Sequence, residues 1–220
     1  MLDIIINTKL YEQSIGKNAL ELARVCEEVA KETGAKIGLA VPAADIYPVT
    51  QATSIPVLAQ HVDPVEYGSH TGHVLPEHIK DMGAVGTLLN HSEKHMVFDD
   101  IEKSINKCRK LGLMTIVCAD DQTQAESLSK LSPDAIAIEP PELIGGDISV
   151  STAKPEVITA TVNAVEGRVL VGAGVKNCDD VAKAIELGAK GVLLASGVTK
   201  ANNPKEVLLE LARGIQGTTT

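Results

Sequence analysis

The chain has 220 residues, 44% apolar and 22% charged, with a formal net charge of −9. That balance is globular, it holds no basic run of the kind that binds nucleic acid, and the length suits one α/β domain spanning 1–220. One Phe, three Tyr and no Trp leave an aliphatic core and no platform for stacking bases. A net acidic chain still admits a phosphate-bearing ligand, because anion sites are local.

In chain order, apolar runs alternate with helical patterns. They are strand 2–7, helix 15–33, strand 36–41, a short weak segment, strand 57–61, a second weak segment and strand 86–90. Then come helix 99–111, strand 114–119, helix 123–130, strand 135–139, helix 155–165, strand 169–172, helix 179–187, strand 191–195 and helix 204–215. The strands are continuous apolar runs, as in a parallel sheet buried on both faces. Gly34, Gly83, Gly112 and Gly188 stand where helices end, and Pro155 and Pro204 where helices begin. Eight βα units of about 27 residues each suit a (β/α)8 barrel. The alternative is an open doubly wound sheet, but no GxGxxG fingerprint follows the first strand.

A repeat supports closure. DMGAVGTLLNHSE at 81–93 returns as ELGAKGVLLASGV at 186–198, offset by 105 residues. The offset is about four βα units, so it pairs strands four and eight, on opposite sides of a closed barrel. The copies part after Leu89 and Leu194, into Asn90-His91-Ser92 and Ala195-Ser196-Gly197.

Cys26, Cys108, Cys118 and Cys178 lack CxxC or zinc spacing and read as small buried hydrophobes. Their use, together with the absence of a basic leader or an apolar run of roughly 18 residues, points to a reduced, cytoplasmic protein with no membrane segment. His70, His73 and His78 have spacing that could suit a metal, but the expectation is no metal.

In a (β/α)8 barrel the chemistry gathers where strands end. Asn7-Thr8-Lys9 follow strand one, Asn90-His91-Ser92-Glu93 strand four, and Glu139 closes strand six. Gly172-Ala173-Gly174 and Ala195-Ser196-Gly197 follow strands seven and eight, where small residues cradle phosphate. Each has a plainer reading: a solvated lysine, a capping histidine, a simple glycine turn. Glu139 ends the run IAIE, where an unpaired carboxylate is costly, and this favours function. PPELIGGDISV then runs from two prolines to Gly145-Gly146, stiff at one end and jointed near the other, as a closing lid would be.

Together NTK at 7–9, QHVDP at 60–64, SHTGHVLPE at 69–77, GTLLNHSE at 86–93, EPPELIG at 139–145, VGAG at 171–174 and GVLLASGVTK at 191–200 resemble the triosephosphate isomerase family, in its short archaeal-type branch. The resemblance implies a (β/α)8 TIM barrel interconverting dihydroxyacetone phosphate and D-glyceraldehyde 3-phosphate, a step of glycolysis and gluconeogenesis, without a cofactor. It implies Glu139 as general base, His91 as a neutral electrophile facing a short helix N-terminus, and Lys9 as the cation beside the enediolate. Asn7 would touch substrate, and Glu93 would pair with Lys9. Ile144, Gly145, Gly174, Ala195 and Ser196 would present backbone N–H groups to the phosphate. The family's lid continues Gly-Thr-Gly where this chain has Gly145-Gly146-Asp147, and Asp147 is expected to face solvent. The loop 62–74, with Tyr67, His70, Thr71 and His73, is implied to dock on a second copy, giving a homo-oligomer, tetramer favoured over dimer.

Overall fold

The computed structural model describes residues 2–146 and 149–217. Eight parallel strands close in sequence order: β1 (Ile4–Asn7), β2 (Ile37–Val41), β3 (Val57–Ala59), β4 (Gly86–Leu89), β5 (Met114–Ala119), β6 (Ala135–Ile138), β7 (Val169–Val171) and β8 (Val192–Leu194). Pairing of Ile4 with Val192 seals β1 to β8 and rules out the open sheet. Around them lie α1 (Lys17–Thr33), α2 (Ala43–Ala52), α3 (Pro76–Asp81), α4 (Phe98–Leu111), α5 (Gln122–Ser129), α6 (Val150–Ala153), α7 (Pro155–Ala164), α8 (Cys178–Glu186), α9 (Ser196–Thr199) and α10 (Pro204–Gln216).

The strands are apolar at most positions because each feeds two cores. Ile5, Leu58, Leu88, Ile116, Leu170 and Leu193 fill the barrel interior. Ile4, Ile6, Leu39 and Leu89 belong to the outer layer with helix residues such as Leu22 and Leu211. Truncating a buried aliphatic in either layer costs about 2–5 kcal/mol. Helix α1 buries Ala19, Leu22, Ala23, Cys26 and Val29, a three–four spacing that makes one apolar stripe. It stops at Gly34, whose φ of 75° lets its N–H reach the Ala30 carbonyl.

The weak segments after strands two and three are α2 and α3. Pro48 lies inside α2 and α3 has only six residues, so neither prints a full helical period. The repeat has a steric cause. A Cβ on Gly86 would meet the Met114 carbonyl oxygen at 2.4 Å, and one on Gly191 the Asp3 carbonyl oxygen at 2.5 Å. Both strands therefore begin against a neighbouring backbone, on opposite sides of the barrel.

Seven of the eight strands are shorter than the sequence suggests, at one end or both; only β5 keeps its expected bounds. Gln60, His61, Asn90, Glu139, Gly172 and Ala195 all lie past the last paired residue. Periodicity does not register where a chain leaves a ladder; Asn90 leaves at a φ of 56°. The loop 62–74 is clasped at its base, where Asp63 N–H meets the Val74 carbonyl at 2.9 Å and Val74 N–H meets Asp63 Oδ2 at 2.7 Å. Beyond the clasp Tyr67 is 71% exposed. His70 and His73 meet edge to face, and among the described residues no side chains are grouped to hold a metal ion. No helix among the described residues is long and apolar enough to cross a membrane.

Candidate active site

At the carboxyl end of β1 the chain turns sharply. Lys9 has a φ of 49°, a left-handed conformation unusual for a lysine. Three side chains hold it there. Asn7 Oδ1 accepts from the Lys9 N–H at 3.0 Å, the Thr8 hydroxyl donates to the Ala40 carbonyl at 3.2 Å, and Gln60 donates to the Lys9 carbonyl at 3.0 Å. The Gln60 amide also reaches Asn7 Oδ1 at 3.1 Å and Thr8 Oγ1 at 3.0 Å. With its carbonyl oxygen so engaged, Asn7 is left with its amide N–H2 to offer elsewhere. Lys9 itself is nearly buried along its side chain and pairs with Glu93 Oε1 at 2.7 Å.

Strand β4 delivers Asn90 and His91. Asn90 closes its own loop, donating to the Cys118 carbonyl at 3.0 Å and accepting from the Met96 N–H at 3.0 Å. His91 is 7% exposed. Burial first, and the Lys9 charge second, hold its imidazole below the usual range, so it is neutral near pH 7. Its Nδ1 accepts from the Glu93 N–H at 3.1 Å. The proton then sits on Nε2.

One expectation is corrected here. No helix follows His91: residues 92–93 form a turn closed by Lys94 N–H to the His91 carbonyl at 2.7 Å. A single amide, that of Glu93, meets Nδ1 in place of a helix terminus.

Glu139 follows β6, its backbone N–H still bonded to the Ala119 carbonyl at 2.9 Å. Its carboxyl is pushed up to about 7, chiefly by burial; the Cys118 thiol and Lys9 pull the other way. Oε2 is buried without a hydrogen-bond partner and stands 3.7 Å from His91 Nε2. The imidazole is neutral, so this is a contact between a polarised N–H and a carboxyl rather than an ion pair. Cys118 was expected to be a plain buried hydrophobe; it is buried, and its sulfhydryl also bonds Glu139.

The remaining expected positions face the same space. Asn7, Lys9, His91, Glu139, Ile144, Gly145, Gly174, Ala195 and Ser196 all line one narrow cavity at the carboxyl ends of the strands. Ser196 opens α9, so the first amides of that helix have no partner within the helix and are free for an anion. The lid begins as a 3-10 turn over Pro141–Leu143, and Gly145 has a φ of 71°. Asp147 lies outside the described residues. The cavity continues into a wider cleft of about 490 Å³ lined by Leu10, Tyr11, Gln60, His61, Glu93 and Lys94. The apolar run hides Gln60 inside strand three; because β3 ends at Ala59, Gln60 stands at a strand end like the other polar groups of the site. Tyr11, on the wall of both spaces, carried no sequence signal, and its ring lies 3.9 Å beneath Lys200 Nζ.

Comparison with known proteins gives the family. A family model described as triosephosphate isomerase matches residues 3–213. A triosephosphate isomerase of Methanocaldococcus jannaschii is 51% identical over 96% of this chain and 99% of its own length. One from Methanothermobacter thermautotrophicus is 48% identical over 94% of this chain and 93% of its own. The crystal structure of triosephosphate isomerase from Bartonella henselae shares the fold, with a TM-score of 0.74 at 16% identity over 97% of this chain and 98% of that one. With the family model running through the whole barrel and relatives near half identity at almost full length, the chain belongs to the triosephosphate isomerase family.

Proposed function

We propose that the cavity at the carboxyl ends of the strands is where this isomerase interconverts dihydroxyacetone phosphate and D-glyceraldehyde 3-phosphate, with Glu139 as base and His91 as electrophile. Ionised Glu139 takes a proton from the hydroxymethyl carbon, and that electron pair forms the C=C bond of an enediolate. The former carbonyl oxygen takes the charge, stabilised by the Nε2–H of His91 and by Lys9. After a proton passes between the two oxygens, Glu139 returns its own to the neighbouring carbon. Atoms and electrons balance within the substrate, so no cofactor is called for. Asn7 orients the substrate. The backbone amides of Ile144, Gly145, Gly174, Ala195 and Ser196 take the phosphate, and lid closure keeps water from the enediolate.

The observation that carries this reading is the pair of opposed environments. Burial raises the carboxyl to about 7 while it lowers the imidazole, 3.7 Å away. A base poised near working pH and a neutral donor are what proton abstraction beside a carbonyl requires. The test is turnover of dihydroxyacetone phosphate in a coupled assay. Wild type turns over, and Glu139→Gln loses on the order of 10²–10⁴-fold; a Glu139→Gln variant as fast as wild type removes Glu139 as the base.

The chain is read as one domain over 1–220, acting in the cytoplasm as a homotetramer. Free Cys26, Cys108, Cys118 and Cys178 support a reducing location. The clasped, exposed loop and apolar Leu10, Tyr47, Val97 and Phe98 at the surface support association.

A further inference from the structure

We propose that Gly172 is a positioning residue for the isomerisation, whose missing side chain leaves the space in which the Glu139 carboxyl sits. The inference rests on the reading of Glu139 as the base. A Cβ built on Gly172 would lie 2.4 Å from Glu139 Cγ, 2.5 Å from Oε1 and 2.7 Å from Cδ. No two such atoms approach that closely, so one must move. The backbone cannot: Gly172 N–H is bonded to the Ile138 carbonyl at 3.0 Å, and Glu139 N–H to the Ala119 carbonyl at 2.9 Å, which ties both residues into the barrel. The flexible partner is the glutamate side chain. A methyl at 172 therefore displaces the carboxyl and leaves the fold in place.

Two further facts sharpen the case. Gly172 is not among the residues with positive φ, unlike Ala173 at 72° and Gly174 at 71°, so alanine fits its backbone without strain. The glycine is kept for space, not for conformation. Strands β5 and β7 flank β6, and each contributes one neighbour to the carboxyl, the Cys118 thiol from β5 and the bare Cα of Gly172 just past β7. The base is thus seated from both sides by residues outside its own strand.

The experiment is Gly172→Ala in the full-length enzyme. A misplacement near 1 Å lowers turnover on the order of 100-fold. Inhibition by inorganic phosphate stays at the wild-type level, because the phosphate amides are untouched. The acid limb of the kcat/KM profile moves below its wild-type position, since a displaced carboxyl is better solvated. A merely structural glycine moves none of these together. Should Gly172→Ala fold poorly, the methyl is introduced into Glu139→Ala, where the melting midpoint is expected to match that of Glu139→Ala alone. The inference is overturned if Gly172→Ala keeps wild-type turnover and acid limb while Glu139→Gln is dead. It is overturned equally if the methyl destabilises with and without the Glu139 side chain. Should Glu139→Gln itself turn over normally, the assignment of the base fails instead.

Discussion

Glu139 stores in one residue a conflict between stability and activity. Its carboxyl titrates at about 7 in the fold against 4.5 as a free group, because burial opposes the charge. Between those values the folded state holds a proton that the unfolded state has released. Stability therefore falls as pH rises through this window and stays low above it, where the carboxyl is ionised, the form that the proposed base requires. The neutral amide of Glu139→Gln escapes the cost. Its melting midpoint is expected to exceed that of wild type above pH 7, by up to about 3 kcal/mol in stability. The gap closes below about pH 4.5, and thermal melts at pH 4 and pH 8 check both limits. A gap of constant size across that range rules out titration as the cause. The residues that create the conflict were only half legible. Asn7, Lys9, His91 and Glu139 are polar groups at strand ends and stand out in the sequence. Gln60, Cys118 and Gly172 act through neighbours from other strands, and nothing local marks a thiol or a glycine as touching a carboxyl.

At the scale of elements, the proposed lid is held at both ends. Pro140 and Pro141 stiffen its start. At its far end the Ser149 and Ser151 hydroxyls meet at 2.8 Å, Ser151 donates to the Asp180 carbonyl at 3.1 Å, and Val150 N–H reaches the Ala173 carbonyl at 3.2 Å. The two ends are joined by Lys154, which donates to Glu142 across the base of the lid. Both partners are exposed, so water and salt screen the pair and its worth to global stability is small. Its consequence belongs to lid motion. Lys154→Met and Glu142→Gln are each expected to weaken binding of a phosphate dianion by a few-fold with less change in kcat, and the double variant to be no worse than either single. Measured inhibition constants at low and high salt check this, since the wild-type advantage shrinks with salt. Strictly additive effects refute the pairing. From sequence the lid shows in its prolines and glycines, whereas a contact between residues twelve apart, without helical spacing, does not.

At the scale of the molecule, the barrel was legible because its periodicities are global: eight apolar runs, helices ended by glycine, and a repeat at half the chain length. Association is a separate matter, written on the surface rather than in the period. Leu10 is 73% exposed immediately after Lys9, and Tyr67 is 71% exposed at the tip of the clasped loop. A large apolar side chain left in water beside a strained, charged residue supports the proposal that a second copy covers it. The loop clasped between Asp63 and Val74 offers Tyr67 at its exposed tip for such a contact. Tyr67→Asp is then expected to lower the light-scattering mass over a dilution series, from that of the proposed tetramer towards that of a monomer. Turnover per chain is expected to fall in step, because Leu10 follows Lys9 in the same turn and freeing it loosens that turn. Monomers with full turnover would show that the barrel alone completes the site, and that Leu10 is exposed for some other reason.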